Sequence, residues 1–416
     1  MGKKVIVIGG GIVGLSTAYY LLKDGHEVTV IDKGNIDQGA SFVNAGYLTP
    51  SHVIPLAAPG VMAKGLKWMF NSSSPLYMKP RLDPDFLKWA WYFHRSSTPE
   101  KVNRAIPVIK DINLLSKELY TDIHESGILG DFQLDKRGLL MLYKTEQAAA
   151  HEIEVAEIAR KEGLEVAVLN KAELQDIEPG VDPSVLGAVH FECDAHTTPG
   201  EFMKKLLTYL QENGVTIRSN TTADRVHYKN NRVEGIQCGE EIIKGDFFVV
   251  SSGAWSAGIA RELNINLPLQ AGKGYRINVA RHTGINYPAV LCEGKVAVTP
   301  MRGFTRFAGT MEFSGINHHI RKERVEAIAN RAEEYYSNLK IEADEKSQAA
   351  CGLRPVTPDG LPYIGLAGNF NNLAVATGHA MMGWSLGPAT GKLISEIVEG
   401  KKPSLDLSPF RPDRKF

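Results

Sequence analysis

The residues best placed to do chemistry stand within the first 33 positions. They are Gly9-Gly10-Gly11-Ile12-Val13-Gly14, with Asp32 following 18 positions after Gly14 and Lys33 beside it. At this spacing Gly9 permits a tight turn, Gly11 lets the backbone approach a pyrophosphate, and Gly14 lets a helix pack close to a strand. A helix opening at Ile12 and Val13 would turn its free N–H groups toward that anion, and Asp32 can accept hydrogen bonds from a ribose diol. The elements that must hold these groups can be read around them. Residues 4–8 form the short apolar run of a buried parallel strand, 12–22 read as a helix, and 27–31 as a second strand ending in the acid. Strand, glycines, helix, strand and acid in that order predict a dinucleotide site. The motif by itself leaves NAD and FAD equally open.

The whole chain narrows the class. At 416 residues two to three domains are expected, and 47 basic against 47 acidic residues give a net charge of zero. With no basic run and no zinc-type spacing, a nucleic-acid partner is not expected. Cys193, Cys238, Cys292 and Cys351 are isolated, which argues against a disulfide framework and a structural metal; His318-His319 likewise lack metal spacing. The first strand starts almost at Met1, so no signal peptide is expected, and no apolar run is long enough to span a bilayer. A cytoplasmic protein is the expectation.

Further along, a small-residue loop at 39–50 ends the first unit. A Pro-punctuated stretch at 52–84 carries Trp68 and Phe70, and Trp89, Trp91 and Phe93 follow. Helical periodicity marks 106–126, 144–163, 201–213 and 325–339. Strands are expected at 138–143, 165–169 and 215–218, and a hairpin of 222–228 with 232–238 turns at Asn230-Asn231. The apolar run 246–250 ends in Ser252-Gly253-Ala254-Trp255-Ser256. A strand at 373–376 leads through Gly378-His379 into a helix at 386–398. These three stretches compose one split nucleotide-binding domain, 1–50, 196–268 and 350–416, and the insertions 51–195 and 269–349 compose a substrate-binding domain. The fold class expected is α/β, a Rossmann-like domain with an α+β domain of mixed antiparallel sheet.

The block at 9–33, Ser252 to Ser256, Gly352-Leu-Arg354-Pro to Pro358-Asp359-Gly360, and Gly378-His379 to Gly391 resemble the D-amino-acid oxidase superfamily of FAD enzymes across essentially the whole chain. Within it, Ser41-Phe-Val-Asn44-Ala45-Gly46, Pro55 to Gly60, Leu66-Lys-Trp68, Ser74-Pro75-Leu76 and Asp406 to Arg411 are most similar to the bacterial D-amino acid dehydrogenases. The resemblance implies an extended FAD. Gly9, Gly11, Ile12, Val13 and Gly14 would lie at its pyrophosphate, Asp32 and Lys33 at the adenosine ribose. Ser41, Asn44, Ala45 and Gly46 would approach pyrophosphate and flavin, Val226 would meet adenine through its backbone, and Gly253 and Trp255 would line the groove. The segment Gly378, Met382, Gly383, Trp384, Ser385 and Leu386 would run past the flavin ring. Relatives that bind flavin covalently use a cysteine where this chain has Gly352, with Cys351 one residue early, so non-covalent FAD is expected.

The same resemblance implies the reaction. FAD takes hydride at N5 from the Cα of a D-amino acid, D-proline and hydroxy-D-proline included, and passes electrons to a quinone-type or other acceptor. The alternative is an oxygen-using oxidase of glycine or sarcosine. Arg354 would clamp the substrate carboxylate, since a guanidinium binds carboxylate bidentately. Tyr275 would stand near that carboxylate, against the plain alternative of a core tyrosine. His379 is either a base or a residue packed at the flavin edge. Met381 replaces a second arginine of glycine oxidase, so any second carboxylate contact must come from elsewhere. The aromatic stretch 68–93 would be either a peripheral membrane face, suited to a membrane quinone, or packed core.

Overall fold

The computed structural model describes residues 2–59, 76–79 and 81–416, so Gly60, Leu66, Lys67, Trp68, Phe70, Ser74 and Pro75 lie outside the described residues. The strand Lys4–Ile8 is the axis of the fold. After its exposed first residue every side chain is buried, which is what a parallel strand covered on both faces requires. It pairs in parallel with Glu27–Ile31 on one side and Phe247–Val250 on the other. The six-stranded sheet runs Thr216–Arg218, Glu27–Ile31, Lys4–Ile8, Phe247–Val250, Leu373–Thr377, Tyr363–Leu366, and only its last pair is antiparallel. Alternation splits its apolar residues between two layers. Val5, Val7, Val28 and Val30 face the helices Ile12–Lys23, Pro199–Glu212 and Gly387–Glu399, while Ile6, Ile8 and Ile31 face a three-stranded sheet through Val226, Val233 and Ile243. Each such burial contributes about 1.5–3 kcal/mol.

A second, nine-stranded sheet is mixed and mainly antiparallel. Ala350–Val356 pairs with Gln270–Val279, which pairs with Phe304–Phe313, and the order continues through Val296–Met301, Ala289–Leu291, Leu139–Tyr143, Gly187–Phe191 and Val166–Asn170. Leu76–Met78 adds in parallel beside Phe304–Phe313. The fold is α/β with a Rossmann-like sheet and a separate mixed sheet.

Some elements depart from the sequence reading. The helix expected at 106–126 is Pro99–Glu125: Thr98 accepts the Lys101 N–H, Pro99 takes the first turn where its missing N–H costs nothing, and Pro107 is absorbed. Pro84–Ser96 is a helix started by Asp83, whose carboxylate accepts the N–H groups of Asp85 and Phe86. The helix expected at 325–339 is Lys322–Tyr335. The Asn230-Asn231 hairpin stands, both residues holding the left-handed φ (50° and 58°) that its turn demands.

Candidate active site

Two helices begin side by side at the C-terminal edge of the six-stranded sheet. Gly11 caps Ile12–Lys23 and Leu386 caps Gly387–Glu399; neither start has a side-chain cap or an acidic residue in its first turn. They pack so closely that a Cβ on Gly391 would lie 2.5 Å from the Ser16 carbonyl. A Cβ on Gly14 would collide with the carbonyl of Gly9, so the tight glycine turn is a packing requirement. Gly11 differs: a Cβ there would meet only Ser41 Oγ, at 3.4 Å. Among the described residues nothing else comes within 4 Å of that position at the start of the helix Ile12–Lys23, an opening that fits a pyrophosphate.

Asp32, at the end of its strand, accepts the N–H groups of Gly10 and Gly34, each at 2.7 Å. Lys33 Nζ sits 3.3 Å from the centre of the Trp255 ring, which stacks on His318. Gly253 has φ +55° and open space where a Cβ would stand. Lys33 and Trp255 are therefore in contact, with Asp32 and Gly253 beside them in the chain. Val226 is in a strand whose N–H at this residue is taken by Glu262 Oε2 at 3.1 Å.

The short helix Ala40–Val43 joins the two sheets. Ser41 Oγ accepts the Ile12 N–H at 3.0 Å, and a Cβ at Gly352 would meet Val43 and Ala40. Asn44 Oδ1 accepts the Gly46 N–H, and Thr299 donates to the Ala45 carbonyl. Arg306, buried in the strand Phe304–Phe313, donates to the carbonyls of Phe42 and Asn44 at 2.8 and 2.6 Å. Burial, and then Arg276, pull its guanidinium down to about 9. Sequence reading missed Arg306. Its one signal is an arginine set between Phe304-Thr305 and Phe307-Ala308 in the strand.

Arg354 lies in Ala350–Val356 opposite Gly272, and its guanidinium covers Gly274, where a Cβ would collide with it. It donates to the Thr310 carbonyl at 2.8 Å. Among the described residues no carboxylate pairs with it, and burial lowers its pKa to about 10. A cation held this way is ready for an anionic ligand.

Tyr275 and His379 are not brought to that guanidinium as working groups. Tyr275 pairs with Cys351 in the strand register, one residue out of phase with Arg354, so it faces the other side of the sheet. There it is fully buried and donates to Glu312 Oε2 at 2.7 Å, in an ion cluster with Lys273 and Arg324. Buried and bonded to Glu312, Tyr275 sits as a core tyrosine on that face. His379 is buried, its Nε2 lies 2.9 Å from Thr390 Oγ1, and burial pushes its pKa down to about 3. An imidazole that stays neutral in this way packs the loop and is a poor base. The Tyr47 hydroxyl is within reach of the Ala289 and Val298 carbonyls.

In the loop after Gly378, the Trp384 indole donates to Thr197 at 2.8 Å and the Ser385 hydroxyl to Asn113 at 2.7 Å. Leu386 is buried, Met382 and Gly383 are half-buried, and Met381 is exposed. Trp384, Ser385 and Leu386 thus face inward with their side chains, and the Trp384 carbonyl accepts from the Tyr120 hydroxyl at 2.9 Å. Trp89 and Phe93 are also buried, packed with Phe313, which removes them from any membrane face.

The sequence profile of DAO, FAD dependent oxidoreductase, matches residues 4–397. The chain belongs to this family of FAD-dependent oxidoreductases. FAD is thus the nucleotide that the glycine motif had left open. The chain is 30% identical over 418 residues to a D-amino acid dehydrogenase of Agrobacterium fabrum, covering 97% of each. It is 31% identical over 426 residues to one of Bradyrhizobium diazoefficiens, covering 99% of this chain and 98% of the other. Among solved structures, glycine oxidase of Geobacillus kaustophilus superposes with a TM-score of 0.80 at 22% identity, covering 100% and 99%. L-proline dehydrogenase of P. horikoshii superposes at 0.75 and 21% identity, covering 99% and 97%. At these identities the two structures share the fold with this DAO-family chain.

Proposed function

We propose that this protein is a D-amino acid dehydrogenase with non-covalently held FAD. The carrying observation is Arg354, a desolvated guanidinium on the sheet face that Gly352 turns toward Ala40 and Val43, which no described carboxylate neutralises. The near-full-length likeness to two D-amino acid dehydrogenases supports the substrate class. Residues 1–50, 196–268 and 350–416 would form the FAD domain. In it Gly9, Gly11, Ile12, Val13 and Gly14 hold the pyrophosphate with Ser41, Asn44, Ala45 and Gly46, and Asp32 and Lys33 hold the ribose. Val226 offers adenine its backbone, Gly253 and Trp255 wall the groove, and Gly378 with 382–386 passes the flavin. Residues 51–195 and 269–349 would form the substrate domain. When bound, FAD supplies the acceptor for hydride leaving the substrate Cα. Arg354 binds the carboxylate as a fork and thereby sets the Cα–H, a positioning effect of several kcal/mol. Water then converts the imino acid to a 2-oxo acid and ammonia, or leaves a pyrroline carboxylate when the substrate is D-proline or hydroxy-D-proline.

Non-covalent binding is supported by Cys351. Its Sγ lies 3.5 Å from the His318 carbonyl and it shares a core cluster with Tyr275, whereas position 352 faces Ala40 and Val43. For the acceptor we favour a quinone reached from the membrane surface. Leu82 is 97% exposed, and Leu87 and Trp91 stand out from the helix Pro84–Ser96 at 54% and 60%, beside Lys88 and Arg95. No helix of the described residues is long and apolar enough to cross a membrane, so contact would be peripheral, at the cytoplasmic face.

Anaerobic bleaching of the purified yellow protein by D-amino acids, L-amino acids, glycine and sarcosine tests the reading. Bleaching by D-amino acids, D-proline among them, is expected. Bleaching by glycine and sarcosine with fast reoxidation by oxygen would instead support an oxidase, and no bleaching by any amine would refute the enzyme proposed.

A further inference from the structure

The strands Gln270–Val279 and Phe304–Phe313 fall out of register at one point. Tyr275 faces Gly309 and Lys273 faces Glu312, so Gly274 alone stands opposite both Thr310 and Met311. This is a bulge, a device that re-aims side chains and is common beside active sites. Its extra residue takes φ +63°. Glycine is the residue suited to that conformation, and a β-branched side chain there is an outlier. Thr310 nevertheless occupies it. The residue is over nine-tenths buried, and Thr310 Oγ1 has no hydrogen-bond partner among the described residues. Buried hydroxyls are nearly always partnered, so this one asks for an explanation. The same residue directs its carbonyl to Arg354 Nη1 at 2.8 Å.

We propose that Thr310 is the second ligand of the substrate carboxylate: it holds Arg354 through its carbonyl and donates its own hydroxyl to the anion that Arg354 binds. Strain and an unsatisfied hydroxyl then have one cause, a donor kept in place for a ligand. The residue also answers the absence of a second arginine at Met381. A carboxylate gripped by a guanidinium and a hydroxyl has its rotation fixed, which a guanidinium alone does less well. The inference rests on Arg354 as the carboxylate clamp.

The test uses the FAD-loaded enzyme and propanoate, a carboxylate with no amine to oxidise, titrated by its perturbation of the flavin spectrum. KM and kcat for the best bleaching D-amino acid are measured in parallel. Thr310→Val is expected to weaken propanoate and raise KM by about tenfold or more, the usual effect of losing a hydrogen bond to a charged group. Thr310→Ser should stay within about threefold of wild type. Thr310→Gly, which suits the turn, should bind as weakly as the valine variant while unfolding at no lower temperature. If the valine and glycine variants bind propanoate as wild type does and Arg354→Ala does not, Thr310 is no ligand and the clamp stands. If Arg354→Ala binds normally, the clamp itself falls, and a wild type that binds no carboxylate overturns both.

Discussion

His379→Gln separates a packed imidazole from a working base. The side chain keeps a partner for Thr390 Oγ1, 2.9 Å from Nε2, but cannot titrate. Burial lowers the His379 pKa from 6.5 to about 3. The neutral form is therefore favoured in the folded protein, and the unfolded chain takes up a proton that the native one refuses. Stability tied to this group is fully present above pH 6.5 and is lost as pH falls toward 3. At pH 5 the wild type has lost about 2 kcal/mol through it, and about 4–5 kcal/mol below pH 3. The glutamine variant lacks that loss. Urea midpoints of the FAD-loaded wild type and variant at pH 7.5 and 5.0 give the difference directly. The gap between the two proteins should move by about 2 kcal/mol in favour of the variant at the lower pH. The kcat profile of the variant should keep any limb between pH 6 and 7 that the wild type shows. Parallel stability profiles, or loss of such a limb, would mean that the imidazole ionises freely in the native enzyme, and the reasoning would fail.

Other groups give separable outcomes. Arg306→Met removes the cationic donor from the Phe42 and Asn44 carbonyls; with about 1.5–3 kcal/mol at stake per bond, FAD should dissociate at least about tenfold more readily, measured by reconstitution of stripped protein. Asp32→Ala leaves the Gly10 and Gly34 N–H groups without their carboxylate and removes the proposed ribose acceptor. It should lose flavin on gel filtration, with affinity down about tenfold to a hundredfold. Glu312→Gln withdraws the carboxylate facing Lys273 and Arg324, both at 3.1 Å, inside a fully buried cluster. The urea midpoint should fall by the equivalent of about 3 kcal/mol, with KM little changed because the cluster faces away from Arg354.

What could be read from the amino-acid order was local. The apolar run 4–8, the glycines at 9–14, the next helix and Asp32 interact within one short stretch, so periodicity and turn chemistry mark them. Asn230-Asn231 announced its hairpin for the same reason, because two residues that tolerate a left-handed φ interrupt two apolar runs. The chemistry around Arg354 was visible only as a likeness to known enzymes. Whether that arginine stands free depends on contacts from distant parts of the chain: the Thr310 carbonyl, the bare backbone at Gly274 and the lack of a described acid within reach. Tyr275 and Arg354 sit on neighbouring strands, yet a phase difference of one residue sends them to opposite faces. Sequence cannot reveal that phase, because pairing register between strands far apart in the chain is set by packing of the whole sheet. The same holds for Cys351, which lies on the Tyr275 face while Gly352 faces Ala40 and Val43, and for Thr310, whose strain exists only because a bulge forms opposite Gly274. Sequence by itself determined a nucleotide-binding unit and its family; the tertiary structure decided which side chains face the site, since facing is a property of register and burial between remote segments.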